Sequence, residues 1–355
     1  MSLSPFDVGS AALVADEDQS LEALDAGRAI EGRSPLRLAF ARLRSDRIAW
    51  LAAGMIVLMA LLAVVAPVLS ALTGHSPYNP DLVNGTDSFG QPYGPGQAGF
   101  LLGTDNVGRD ILVRVAYGAR ISLLVGVLAT LLATVGGTIL GLVSGYYGGW
   151  IDALLARMMD AVLSFPYVLA AIVLAAVFGG SLPLTIGVIA FFSWAAIGRI
   201  VRGQTLSQKE KEYVEAARSI GAGSFRIMFV DILPNLIAPV IVLGTLLVPV
   251  AVVFEATLDY LGVGVGPPTP TWGNMLADDQ GSAGFGAWWF WVFPSVALLI
   301  TTLGFNLLGD SVRDALDPRT ERLFANRRKK VVVGGGPDAS ARADTDRLSG
   351  GTEAP

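Results

Sequence analysis

The 355-residue sequence contains no cysteine and a single histidine, His75. A disulfide framework, a thiolate nucleophile, a cysteine-ligated zinc site and a histidine-rich metal site are therefore excluded. The missing cysteine leaves the redox compartment open. Charge is also scarce, at 15% of residues against the roughly 25% usual for a soluble domain. No Gly-x-x-x-x-Gly-Lys-Ser/Thr loop exists to cradle phosphates, so the chain is not expected to hydrolyse ATP, and no catalytic residue is assigned. The alternating glycines from Gly262 to Gly266 read as a loop outside the membrane. No apolar run carries a line of carboxylates near its middle, which argues against a proton-coupled path.

What remains is apolar. Hydrophobic residues make up 52% of the chain, and the mean hydropathy is +0.56. An all-α, polytopic membrane protein follows. Runs near the roughly 20 residues needed to cross hydrocarbon fall at 50–72, 119–145, 160–178, 183–201, 236–258 and 288–309. The first run follows a long polar lead, so it reads as a span and not as a cleaved signal. Of the 25 Lys and Arg, all but Arg109, Arg114 and Arg120 fall in segments on one side of this six-span arrangement. The positive-inside bias then places both termini in the cytoplasm. The net charge of −5 arises largely in tails and outer loops and argues for no nucleic-acid partner.

Five regions follow. Residues 1–34 are an expected disordered cytoplasmic tail, and 35–72 an interfacial helix with the first span. Residues 73–118 form an outer loop dense in Gly, Pro, Asn and Asp. Residues 119–312 make a five-helix core with cytoplasmic helices at about 208–233, and 313–355 a largely disordered tail. Asn84-Gly85-Thr86 is a formal sequon without functional weight.

Within the core, Gly137, Gly141 and Gly145 share one face of the second span, where small side chains admit another backbone. Glycine is also common in membrane helices for no such reason. Pro166, Pro249 and Pro294 are expected to kink the third, fifth and sixth spans. Arg157 and Asp160, three apart, are expected to pair at the interface. Glu255 and Asp259 lie near the outer end of the fifth span, as candidates to face an aqueous vestibule or a partner.

The longest basic loop between spans carries Glu215-Ala216-Ala217, then Gly221, then Leu233-Pro234. Its pattern gives an amphipathic helix, a break over 221–224 and a second helix, with Pro234 halting the chain before the next span. Two alanines keep one face shallow enough for a groove, and Glu215 puts charge at its edge. The segment reads either as a lever pushed by a cytoplasmic partner or as an ordinary interfacial helix.

This E-A-A, Gly and Leu-Pro arrangement resembles the motif of membrane permease subunits of bacterial ATP-binding cassette (ABC) importers. Leu102-Gly103-Thr104-Asp105 with Gly108-Arg109-Asp110 and Tyr117-Gly118-Ala119-Arg120 is similar to the dipeptide, oligopeptide and nickel branch. So are Ser164-Phe165-Pro166, Glu255-Ala256 with Leu261-Gly262, Pro267-Pro268 with Trp272-Gly273, and Leu316-Asp317-Pro318-Arg319. The resemblance covers about 35–322 and fits the second of two paired permeases. Asp231 departs from the pattern, as does Asp259-Tyr260 where Ser-Phe is usual.

The resemblance implies the type I ABC importer permease fold in a bacterial cytoplasmic membrane. It also implies a heterodimer with a homologous second permease, two ABC ATPase subunits or one fused ATPase, and an extracytoplasmic substrate-binding protein. ATP and Mg would be bound by the ATPases, with no cofactor or metal on this chain. Glu215, Ala216, Ala217, Gly221, Leu233 and Pro234 would form the coupling segment, and Asp105, Arg109 and Asp110 an outer-loop motif. Short peptides are the expected cargo, with nickel, heme or another small solute as alternatives. An ion-coupled secondary transporter and a membrane signalling or scaffold protein are the other classes.

Overall fold

The structure, a computed structural model, describes residues 35–278 and 286–316. The two expected disordered tails lie outside these residues, except for 313–316. Among the described residues the only regular elements are helices. They are α1 (Pro35–Ser45), α2 (Arg47–Thr73), α3 (Ile111–Tyr147), α4 (Gly149–Ser164), α5 (Tyr167–Phe178), α6 (Leu182–Gln208) and α7 (Glu212–Ser219). A continuous helical run, α8 (Ser224–Tyr260), follows, then α9 (Trp272–Asp278) and α10 (Trp289–Leu316).

By length and composition, α2, α3, α6, α8 and α10 can each cross a membrane. The expected span 160–178 is not one kinked helix. Helix α4 stops at Ser164, α5 restarts at Tyr167, and the two are bent by 83°. The reason is local, since a residue before proline avoids the helical region, and Phe165 sits at φ −79°, ψ 134°. If the bent pair counts as one crossing, the spans number six.

The second span also begins earlier than expected, at Ile111 instead of 119. Asp110 is its N-cap, accepting from the backbone N–H groups of Leu112 and Val113. The outer loop is correspondingly shorter. Short bridges, Thr86 to Pro92, Gln97 to Phe100 and Thr104 to Asp110, fold it into a lobe. Trp289 of α10 clasps this lobe, its indole N–H donating to the Thr104 carbonyl at 3.1 Å.

The most extensive helix contact is α3 against α6. Cβ atoms placed at Gly137, Gly141 and Gly145 would lie 2.6 Å from the Trp194 carbonyl oxygen, 2.5 Å from that of Gly198 and 2.7 Å from Thr205 Cβ. Backbone rests on backbone for more than two turns, an approach that only glycine permits. Helix α8 packs on α3 and α10, and α2 on α3 and α10, so α3 lies at the centre of the bundle.

Candidate functional site

The Glu215 segment is a short helix with its end locked. Helix α7 finishes in a Schellman motif, in which Gly221 N–H donates to the Arg218 carbonyl and Ala222 N–H to that of Ala217, at 2.9 and 3.0 Å. The motif requires a left-handed residue, and Gly221 has φ +81°. A Cβ there would meet no neighbour, so the constraint on this glycine is conformational and not steric.

One face of α7 is anchored. Val214 is fully buried and packs in a cluster with Leu142 of α3, Val201 of α6, and Ile227, Met228, Ile232 and Leu236 of α8, with Ala217 and Leu233 against it. The Tyr213 hydroxyl donates to Gln208 Oε1 at 2.9 Å and accepts from Asn235 Nδ2 at 3.3 Å. The Arg218 guanidinium lies 5.8 Å above the Tyr146 ring. The other face is open: Glu215 and Ala216 are exposed, while Ile220 and Phe225 show 80% and 72% of their surface. Short helix, rigid cap, buried back and bare front together set an exposed surface directly against three helices long enough to span a membrane.

Pro234 does not halt the chain, as the sequence had suggested. Helix α8 passes through it after a π-helical segment, Ile227–Ile232, which ends with Leu233 N–H donating to the Met228 carbonyl. Proline has no N–H to continue the ladder, and a widened turn just ahead accommodates its ring while keeping the helix continuous. Asp231 lies in this segment, half-buried, with Oδ2 meeting no donor among the described residues.

Ionic ties hold the surrounding spans. Asp152 of α4 accepts from Arg202 of α6 at 2.5 and 2.7 Å and from the Ser144 hydroxyl of α3 at 2.6 Å. Asp160 pairs with Arg199 of α6 and not with Arg157 as expected. Helix α6 packs beside α4 and brings Arg199 across, which sequence spacing cannot reveal. Charged hydrogen bonds of this kind contribute about 1.5–3 kcal/mol. Asp152→Ala should therefore lower the stability of the purified chain by about 2 kcal/mol, read as a fall in denaturation midpoint. Asp160→Ala, whose pair is more than half exposed, should change it by less than about 1 kcal/mol.

On the opposite end of the bundle, Asp105, Arg109 and Asp110 do not form one site. Asp105 Oδ2 binds Arg109 Nε at 2.6 Å and Arg114 at 3.3 Å, and both arginines reach Asp278 of α9 at 3.0 Å. Asp110 instead caps α3 and binds His75 Nδ1 at 2.7 Å. The His75 ring stacks on Phe100 at 4.4 Å. Arg114, Asp278 and His75 carry no expected role from sequence, because Asp278 lies 164 residues from Arg114 and His75 lies 35 from Asp110. Trp272, whose indole N–H donates to the Val115 carbonyl at 3.1 Å, stood only as part of a motif.

Glu255 and Asp259 face no vestibule. Their relative exposures are 0% and 1%, because α3 and α9 close over that face of α8. Among the described residues no three His, Cys, Asp or Glu side chains converge where they could hold a metal ion.

Known proteins bear on this arrangement. The sequence profile described as binding-protein-dependent transport system inner membrane component matches residues 137–322. That of the N-terminal TM domain of oligopeptide transport permease C matches 34–93. The dipeptide transport system permease protein DppC of Alkalihalophilus pseudofirmus is 40% identical over 286 residues, covering 81% of this chain and 90% of that one. The oligopeptide transport system permease protein OppC of Salmonella typhimurium is 41% identical over 307 residues, covering 85% and 97%. The glutathione transport system permease protein GsiD of Salmonella paratyphi A is 40% identical over 287 residues, covering 81% and 91%.

Proposed function

This chain belongs to the family of binding-protein-dependent transport system inner membrane components, and from that premise we propose that it is the second permease of an ATP-driven importer of short peptides. It is a multi-pass membrane protein. In the proposed topology six spans cross a bacterial cytoplasmic membrane with both termini inside. A homologous permease supplies the other half of the path, two ABC ATPases or one fused ATPase lie below, and an extracytoplasmic binding protein delivers cargo. ATP and Mg²⁺ act in the ATPases, and this chain has no catalytic role.

One observation carries the reading: the Glu215–Gly221 turn is braced from behind on α3, α6 and α8 while its front, with Ile220 and Phe225, is bare. Such a surface suits a groove in an ATPase, whose closure on ATP would move the turn and the spans behind it. Peptides are preferred as cargo because the relatives are named for dipeptide, oligopeptide and glutathione transport. Nickel, heme or another small solute remains the alternative within the same mechanism. An ion-coupled transporter would leave the bare turn without a partner.

Uptake of a labelled dipeptide by cells carrying Glu215→Arg, or lacking residues 215–221, should fall to background while the protein stays in the membrane at its normal level. Undiminished uptake by either variant would refute the coupling assignment. Uptake that follows an ion gradient and survives ATP depletion would replace the ATPase with an ion.

A further inference from the structure

Two neighbouring turns of the outer lobe hold apolar side chains out into solvent. Val83 and Phe89 show 87% and 86% of their surface, and Leu82 shows 58%. Singly exposed apolar residues are common on any protein; what sets these apart is the backbone beneath them. In the first turn Asp81 Oδ1 accepts the Asn84 N–H at 3.0 Å, both Asp81 carboxylate oxygens accept from Asn84 Nδ2, and the Asp81 carbonyl accepts the Gly85 N–H at 2.8 Å. In the second, Asp87 Oδ1 accepts the N–H groups of Phe89 and Gln91, each at 2.8 Å, and Gly90, at φ +74°, closes the reversal. The Thr86 hydroxyl donates to the Leu82 carbonyl at 2.6 Å and joins one turn to the other.

Both turns rest on the segment that leads into α3. Asp81 N–H donates to the Val107 carbonyl at 3.0 Å, and the Thr104 hydroxyl to the Gly85 carbonyl at 2.7 Å. A Cβ placed at Gly85 would lie 2.0 Å from the Gly108 carbonyl oxygen, and one at Gly108 would lie 2.1 Å from that of Asp81. Gly108 stands just ahead of Asp110, the cap of α3, so the tips are joined to the central span through backbone.

From Ser76 to Gly108 the chain has no lysine or arginine and three aspartates. Asp105 is matched by Arg109 and Arg114, whereas Asp81 and Asp87 form no ion pair among the described residues. Apolar tips set among uncompensated carboxylates do not suit a lipid surface, whose binding segments combine apolar side chains with lysine and arginine. They suit a protein socket with a basic rim. Two tips are also too small an area for a permanent subunit interface, and their rigid display spares the ordering cost that weakens a transient contact. We propose that Val83 and Phe89 are docking anchors for the extracytoplasmic peptide-binding protein, seated in apolar sockets rimmed by lysine or arginine. The identity of that partner rests on the importer reading.

Titrating the assembled transporter, held in nanodiscs, with the peptide-loaded binding protein that stimulates its ATP hydrolysis tests the proposal. The double variant Val83→Ser, Phe89→Ser should raise Kd by about tenfold or more with no change in unfolding midpoint, and Phe89→Leu, whose tip stays apolar, should bind close to wild type. Asp81→Asn with Asp87→Asn keeps an acceptor oxygen in each turn but removes two charges, so association should slow and lose most of its dependence on salt. Unaltered salt dependence would overturn the basic rim. An unchanged Kd for the serine double variant, or loss of its second permease or of its place in the membrane, would assign the tips to another partner and overturn the proposal while leaving the importer reading intact. If no peptide-binding protein binds wild type or stimulates it, the importer reading falls and the docking assignment falls with it.

Discussion

Gly141→Ala should lower the unfolding midpoint of the purified chain by several degrees, while Gly136→Ala should leave it unchanged or raise it slightly. The two substitutions add the same methyl group five residues apart on one helix, and only the surroundings differ. At Gly141 the new Cβ would lie 2.5 Å from the Gly198 carbonyl oxygen and 2.9 Å from Val201 Cβ, whereas at Gly136 nothing lies within 4 Å. The oxygen belongs to the backbone of α6, so relief requires two helices to move apart. Overpacking of this kind costs about 1–3 kcal/mol. Replacing a helical glycine whose Cβ meets no neighbour by alanine gains about 0.5–1 kcal/mol. Gly141→Leu should prevent accumulation of folded protein altogether. Thermal unfolding in detergent decides it, and equal midpoints for the two alanine variants would mean that α3 and α6 are not in backbone contact.

Val214→Asp should abolish uptake without removing the protein from the membrane. The side chain is fully buried between three spans, and an aspartate there would be a charge without a partner, a defect of about 3 kcal/mol or more. Helix α7 has only eight residues, too few to persist in water alone. Losing its anchor therefore releases the whole turn. Limited trypsin digestion should then cut at Lys211 and Arg218 far faster than in wild type. Ile220→Asp is the contrasting change, because that side chain is 80% exposed. It should leave the digestion pattern alone and impair transport only through the docked partner. Rapid cleavage in both variants, or in neither, would contradict the anchored-turn description.

Much of this architecture was legible in the sequence. Long apolar runs imply crossings almost by arithmetic, and among the described residues five long helices and one bent pair lie where those runs do. The break after Ser219 is readable because Gly221 is the residue a left-handed cap needs. Legibility failed where the cause lay across the fold. Hydropathy averages over a window and cannot register that Asp110 caps a helix which already contains Arg114 and Tyr117. Nor can it separate a kink at Pro166 from a break. Asp160 was matched to its sequence neighbour Arg157 although its partner lies 39 residues away. Glu255 and Asp259 read as groups needing water, because a single chain position does not disclose that the Ser122 hydroxyl and the Val265 amide meet them. Pro234 was read as a stop because the compensating π turn is a property of backbone geometry and not of composition.

Helix α8 is 37 residues long from Ser224 to Tyr260, about 55 Å at 1.5 Å per residue. Its inner end abuts the bare turn and its outer end carries the carboxyl pair, so a tilt about its middle displaces the two ends in opposite directions. In the proposed importer topology, a see-saw of this length would give the extracytoplasmic mouth and the nucleotide-facing floor opposite phases without any signal having to travel between separate elements.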